Sequence, residues 1–165
     1  MSGIDGLRFA PIDLARHAAL CLAFRRDMYA CSFGAEDGLE DEIGPAGATY
    51  LGQLFKRLEH LPEGNAHLWR SGDIVAQTEM SLLEEEPGVG YVHLFYVTPS
   101  QRGLGLGRLL HQHAAAVFTG RGMRLMRLSV GARNAPAIGF YRALGWRRVG
   151  SRPHREVMDV MEYRL

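Results

Sequence analysis

Apolar positions in this chain switch between two periods, and the switches mark out its elements. Leu7-Arg8-Phe9-Ala10-Pro11 reads as a short strand stopped by proline, and Asp13 stands where a helix N-cap belongs. From 14 to 32, Leu14, Ala18, Cys21, Leu22, Met28 and Tyr29 keep the spacing of one helical face. An acidic, glycine-punctuated stretch over 34–42 reads as a loop, and Leu51, Leu54, Phe55 and Leu58 predict a second helix over 49–60 that Pro62 and Gly64 end. Segments 66–70 and 74–82, joined by the turn dipeptide Gly72-Asp73, predict a hairpin. The aromatic and apolar run 91–97 suits a buried central strand that stops before Pro99. A glycine-rich turn then opens an apolar helix over 109–118. Strand 125–130 follows, then a helix over 136–144 closed by Gly145 at its C′ position. Segments 146–149 and 157–163 are the last two strands predicted. No internal repeat, low-complexity tract or linker interrupts the order.

Composition narrows the class. A chain of 165 residues can bury one sizeable core, so a single domain over 1–165 is expected. Its apolar fraction of 47% and charged fraction of 22% are those of an ordinary globular protein. No run approaches the roughly 18 apolar residues needed to span a bilayer, and Met1-Ser2-Gly3-Ile4-Asp5 lacks the basic start and apolar stretch of a secretory signal. A cytoplasmic location without membrane association is expected. Cys21 and Cys31 are too few for a disulfide framework, and no Cys or His stands at metal-ligand spacing around them, so no metal is expected. The net charge of +1 is unevenly spread: residues 1–100 carry 7 Lys/Arg against 15 Asp/Glu, and residues 101–165 carry 12 against 3. Such a chain could bring an anionic cofactor to a cationic substrate, or its halves could simply attract each other. The basic residues of the second half lack interleaved aromatics, which argues against nucleic acid as a partner.

The turn at 103–107 carries the sharpest chemistry. Glycines let a backbone approach a phosphate closely, the first N–H groups of the following helix have no helical acceptors, and the helix dipole favours negative charge there. A dinucleotide fingerprint would need glycine where Arg108 stands. A Walker loop would need Lys before Ser or Thr, and the single lysine is Lys56. What fits is R-x-x-G-x-G, met by Arg102, Gly105 and Gly107 directly after Tyr96-Val97-Thr98-Pro99. On these residues the chain resembles the GNAT superfamily of acyl-CoA-dependent N-acyltransferases. A second motif of that superfamily is matched by Asn134-Ala135-Pro136-Ala137-Ile138-Gly139-Phe140-Tyr141-Arg142-Ala143-Leu144-Gly145-Trp146. The resemblance runs from about Ala66 to Leu165, while the first 60 residues match only in having two helices. It implies an α/β (α+β) fold: a mixed, mostly antiparallel sheet of six to seven strands flanked by about four helices, with splayed fourth and fifth strands.

The resemblance also implies roles. Main-chain groups of Phe95, Tyr96 and Val97 would pair with the pantetheine arm of acetyl-CoA, the cosubstrate. The pyrophosphate would lie on Arg102, Gly103, Leu104, Gly105, Leu106 and Gly107, with Arg102 and Arg108 adding charge. Asn134 would hydrogen-bond the pantetheine region, and Tyr141 would stand near the sulfur as an acid for the leaving thiolate, unless it is a core aromatic. The N–H of Val97 is the natural donor for the oxyanion. For the base, strand alternation puts Tyr91, His93, Phe95 and Val97 on one face. Arylalkylamine acetyltransferases of this superfamily place a catalytic histidine at the position of His93, and an imidazole near pH 6.5 suits proton removal. Glu79 on the preceding strand and a water are alternatives that stay open. The implied activity is transfer of an acetyl group to a primary amine, of a small molecule or a peptide, by direct attack in a ternary complex. An idle acyl-CoA-binding sensor is the alternative, and it would not need His93, Glu79 or Tyr141. Glu36, Asp37, Glu40, Asp41 and Glu42, with Glu84, Glu85 and Glu86, would favour a cationic acceptor amine if they wall its site, and are otherwise solvated loops. Members of the superfamily often pair as homodimers, a point on which this sequence is silent.

Overall fold

The strand-forming segments of the chain come together in one sheet. In the computed structural model, which describes residues 6–153 and 157–165, these are β1 (Leu7–Pro11), β2 (Ala66–Arg70), β3 (Asp73–Leu82), β4 (Val89–Val97), β5 (Leu125–Gly131), β6 (Arg147–Arg152) and β7 (Met158–Arg164). Their spatial order is β1-β2-β3-β4-β5-β7-β6, and only the β4–β5 pair is parallel. The mixed, mostly antiparallel sheet of the sequence reading is therefore present with seven strands. Met1–Asp5 lies outside the described residues.

The helices are α1 (Leu14–Phe33), α2 (Leu39–Ile43), α3 (Ala48–His60), α4 (Leu106–Gly120) and α5 (Ala135–Leu144). Asp13 caps α1 by accepting from the Arg16 N–H at 3.3 Å, and Gly34 ends it in the left-handed conformation. The acidic stretch read as a loop contains α2. Its two apolar residues, Leu39 and Ile43, are one turn apart and both buried, while Glu40, Asp41 and Glu42 occupy the turn where the helix dipole favours negative charge.

Two helical layers cover the sheet unequally. On one face, Ala114 and Phe118 of α4 pack with Val92, Met126, Leu128, Val130 and Met161, and α5 joins them through Ala137, Ile138 and Tyr141. On the other face, Cys21, Tyr29, Tyr50 and Leu54 join α1 to α3, and Phe24 packs on Leu94 and Tyr96. This second layer stops at the C-terminal end of α1, where the Ser32 carbonyl lies 3.2 Å from a Cβ built on Gly131. Beyond it, Tyr91, Arg127, Ser129, Val160 and Glu162 line an open cleft.

Two irregularities in β4 shape the site. First, β4 pairs with β5 only from Val89↔Leu125 to Val92↔Leu128, although β4 runs on to Val97 and β5 to Gly131. The strands part at this point, as the resemblance implies. Second, Glu79 is opposite Leu94 and Met80 opposite Val92, which leaves His93 as the extra residue of a β-bulge. The bulge resets the alternation: Phe95 and Val97 pack with Leu106 and Leu110 of α4, and Leu94 and Tyr96 face α1. His93 is bonded to Ser81, two residues beyond Glu79 on the α1 and α3 side of β3. The expectation that Tyr91, His93, Phe95 and Val97 share a face is corrected, because one inserted residue shifts a period of two.

Candidate active site

The glycine turn forms a cradle of free donors. Gly103 and Gly105 have φ of 78° and 84°, the left-handed region open to glycine, and Gly105 is the N-cap of α4. The N–H groups of residues 103–108 have no backbone acceptor among the described residues, so six donors surround one helix N-terminus. Gly107 is constrained differently, since a Cβ there would stand 3.0 Å from the Phe140 ring, which would have to give way. That contact ties the start of α4 to α5. Arg102 does not add to these free donors. Its N–H donates to the Pro99 carbonyl at 3.3 Å, and its guanidinium turns back to the Val97 carbonyl at 2.9 Å and to Asp27 of α1 at 2.9 Å. Asp27 also accepts from the Tyr96 hydroxyl, and that bond is the main cause of its lowered carboxyl pKa. Arg108 lies in the first turn of α4, and Leu104 at the apex is exposed.

Beside the cradle, β4 offers main-chain groups. The Thr98 N–H donates to the Val75 carbonyl at 3.0 Å, and by ladder alternation Tyr96 and Leu94 bond to β3 while the N–H and C=O of Phe95 and Val97 aim into the gap. Tyr96 therefore contributes through its side chain alone. Across the gap, Asn134 caps α5 by accepting from the Ala137 N–H at 3.3 Å, which leaves its NH₂ group free of the cap. The Tyr141 ring packs edge-on against Trp146 and Phe140 at 5.7 and 5.4 Å. Its hydroxyl has no hydrogen-bond partner among the described residues, and burial pushes its pKa up to about 12.

The two candidate bases differ sharply. Glu79 is 1% exposed and fully occupied: Oε1 accepts from Arg57 at 2.7 Å, and Oε2 accepts from Tyr50 at 2.6 Å and Gln77 at 2.8 Å. Gln77 in turn accepts from His67 at 2.7 Å, which requires the proton on Nε2 of that imidazole. This network ties α3 to β2 and β3 and leaves Glu79 no open oxygen. His93 stands where β4 and β5 part, with Nε2 2.7 Å from the Ser81 hydroxyl. Burial, followed by the charges of Arg57, Arg25 and Arg152, depresses its pKa to about 3, so it is neutral at physiological pH rather than poised near 6.5. Next to it, Tyr91 and Ser129 share a hydrogen bond of 2.6 Å at the mouth of a cleft of about 320 Å³.

The model described as the acetyltransferase (GNAT) family matches residues 26–146. The chain belongs to this family. The match takes in the cradle, β4 and both motifs, and reaches back to Asp27 in α1, further than the motifs alone do. A stretch of 62 residues is 36% identical to the mycothiol acetyltransferase of Arthrobacter sp., and it amounts to 38% of this chain but only 19% of that relative's length. Among solved structures, the PaiA N-acetyltransferase of Thermoplasma acidophilum, in complex with coenzyme A, superimposes with a TM-score of 0.79 over 100% of both chains at 14% identity. A ribosomal-protein-alanine N-acetyltransferase of Brucella melitensis gives 0.72 over 96% of this chain and 99% of that one at 19% identity. These likenesses establish the fold. Among the described residues, no helix of this GNAT chain is long and apolar enough to cross a membrane, and no three His, Cys, Asp or Glu residues gather as a metal site.

Several residues of the site carried no signal in the sequence. Asp27, Ser81, Arg57 and Phe140 matter through partners that lie elsewhere in the chain, from Ser81 and His93 across one ladder to Asp27 and Arg102 on distant elements, and the bulge at His93 leaves no mark in residue type.

Proposed function

We propose that the whole chain forms one N-acetyltransferase domain that moves an acetyl group from acetyl-CoA to a primary amine by direct attack in a ternary complex. The observation that carries this reading is one of adjacency: β4 and β5 part beyond Val92↔Leu128, and the free N–H groups of 103–108 open beside the parted end. The donors of the cradle and its helix N-terminus suit a pyrophosphate, and the outward main-chain groups of Phe95 and Val97 suit the amides of pantetheine. The coenzyme A complex of the Thermoplasma relative supports the same assignment. Asn134 offers its NH₂ group to the arm, and Arg108 offers charge to the phosphates.

When bound, acetyl-CoA supplies an activated acyl carbon and a leaving thiolate. The Val97 N–H is aimed to receive negative charge that develops on the thioester oxygen. Tyr141, with its pKa near 12, stays protonated at working pH. Full transfer of its proton to a thiolate, whose conjugate acid titrates at about 8.5, would run uphill, so its role is to donate a hydrogen bond to the departing sulfur. The acceptor nitrogen must arrive neutral. His93, titrating near 3, is too weak to strip an ammonium of pKa about 8 or higher. It can take the remaining proton as the C–N bond forms, the C–S bond breaks and the nitrogen becomes strongly acidic. Glu79, with both oxygens occupied, supports the sheet and α3 and is not the base.

The test is thiol release from acetyl-CoA with a panel of amino acids, peptides with free N-termini, Nα-blocked lysine peptides and polyamines. At least one amine should raise release about tenfold or more above hydrolysis, with acetylated product seen by mass spectrometry. Tight coenzyme binding with no release for any amine would favour the sensor reading.

A further inference from the structure

Three of the acidic residues that the sequence offers as an acceptor wall are held in ion pairs. Glu42 pairs with Arg25 at 3.1 Å, Glu36 with Arg26 at 3.9 Å, and Glu86 with Arg127 at 2.7 Å, while Glu162 holds the same guanidinium at 2.7 Å. The positive charges around the acceptor side are less completely matched. Arg152 lines the cleft beside Tyr91 and Ser129 and has no carboxylate partner among the described residues. Strand register fixes where these charges lie. Arg127 is level with Glu162, and Glu162 with Arg147, so the surplus carboxylate of the Glu86–Arg127–Glu162 cluster is opposed by Arg147 at the paired end of the β4–β5 ladder. Arg152 is level with Met158, and Met158 with Gly131, at the parted end. Ser129 is level with Val160 and Gly150, so Arg152 stands two residues, about 7 Å along the strand, beyond the Tyr91–Ser129 bond.

We infer that the acceptor is a weakly basic α-amine with an anionic group beside it, and that Arg152 at the parted end of the cleft reads that anion. The inference rests on the acetyl-transfer reading of this site. At pH 7.5 an α-amine of pKa about 7.7–8.0 is roughly one-quarter to two-fifths neutral, whereas a lysine ε-amine of pKa about 10.4 is neutral in about one molecule in 800. Positive charge at the site makes this gap matter more, since it disfavours any acceptor that must be bound as an ammonium, and a polyamine several times over. Every charge that moves His93, from α1, α3 and β6, acts in the same direction and holds it neutral. His93 lies beside the cleft, its ring 4.8 Å from that of the lining residue Tyr91, so a neutral α-amine near His93 with a carboxylate toward Arg152 suits this arrangement. That carboxylate has two sources: an acidic side chain at the start of a peptide, whose α-amine keeps the low pKa, or the α-carboxylate of a free amino acid, which raises the pKa of its own amine, so the peptide is the expected source.

The full chain is assayed for thiol release with matched peptides beginning in Asp, Glu, Ala or Lys, with free aspartate and glutamate, with an Nα-blocked lysine peptide and with spermidine. Acceptors with an anion beside the α-amine should exceed the Lys-first peptide about tenfold in kcat/KM, and the blocked peptide and spermidine should lie about a hundredfold lower still. A preference for free amino acids over Asp- and Glu-first peptides, or the reverse, identifies the source. Arg152→Glu should invert the order of Asp-first and Lys-first peptides while moving the Ala-first peptide less than about threefold, a charge-dependent exchange that loss of structure would not produce. The inference is overturned if spermidine or the blocked lysine peptide is the best acceptor, or if Arg152→Glu lowers every acceptor equally. A panel with bound coenzyme and no release at all overturns the transferase reading instead, and this inference with it.

Discussion

His93 and Tyr141 show how environment changes what a residue type can do. An imidazole near pH 6.5 would suit a base that removes the first proton of an ammonium, but burial and three arginines make His93 far weaker. The acid limb of kcat/KM should therefore follow the pKa of the acceptor amine, shift when the acceptor is changed, and survive in His93→Ala, whose loss should fall on kcat. A limb near pH 6.5 that vanishes in that variant would restore His93 as the primary base. Tyr141→Phe should lower kcat about ten- to a hundredfold with coenzyme Kd within about twofold, because the hydrogen bond to sulfur strengthens only as charge develops there. Pre-steady-state thiol release together with equilibrium coenzyme binding separates the two effects. Both residue types were legible in the sequence. The weak basicity of His93 was not, since Arg25, Arg57 and Arg152 come from three different elements.

At the scale of elements, the glycine turn combines two constraints that a motif states as one. Gly105 has a φ of 84° with open space around it, whereas Gly107 faces the Phe140 ring, which a side chain there would have to push aside. A Cβ at Gly105 is strained by about 1–2 kcal/mol in the left-handed region. Gly105→Ala should relax out of that conformation and turn donors away from the cradle. Coenzyme Kd should then rise about tenfold, with little change in melting temperature, which calorimetric titration and a thermal melt would check. An unchanged Kd would mean that the cradle does not need this backbone angle. Strands, helices and the turn were readable because their signals are local: alternation, helical spacing, caps and glycines. The short helix at Leu39–Ile43 escaped because two buried residues one turn apart are too few to establish a period.

For the whole molecule, burial holds His67, His93, His111 and His113 below the ordinary histidine pKa. In the unfolded chain they take up protons near pH 6.5, while the folded chain leaves them neutral, so the unfolded state binds more protons below that pH. Stability is then fully present above about pH 6.5 and is lost as pH falls through each lowered pKa, which for His93 lies at about 3, by up to about 1.4 kcal/mol per pH unit for each group. Denaturant midpoints measured from pH 7.5 to 4.5 should fall steadily, and a flat profile would mean that these imidazoles are not held neutral. By itself the sequence determined the order of elements, the phosphate-cradling turn and, through two motifs, the family, because glycines, prolines and periodic apolar residues act on neighbours along the chain. The tertiary structure decided which groups the site can use. It turned Arg102 to Asp27 and Val97, closed Glu79 within a buried network, moved His93 to the other face by one bulged residue and left Arg152 in the cleft. Each of these outcomes depends on charges and hydrogen-bond partners brought together from distant parts of the chain.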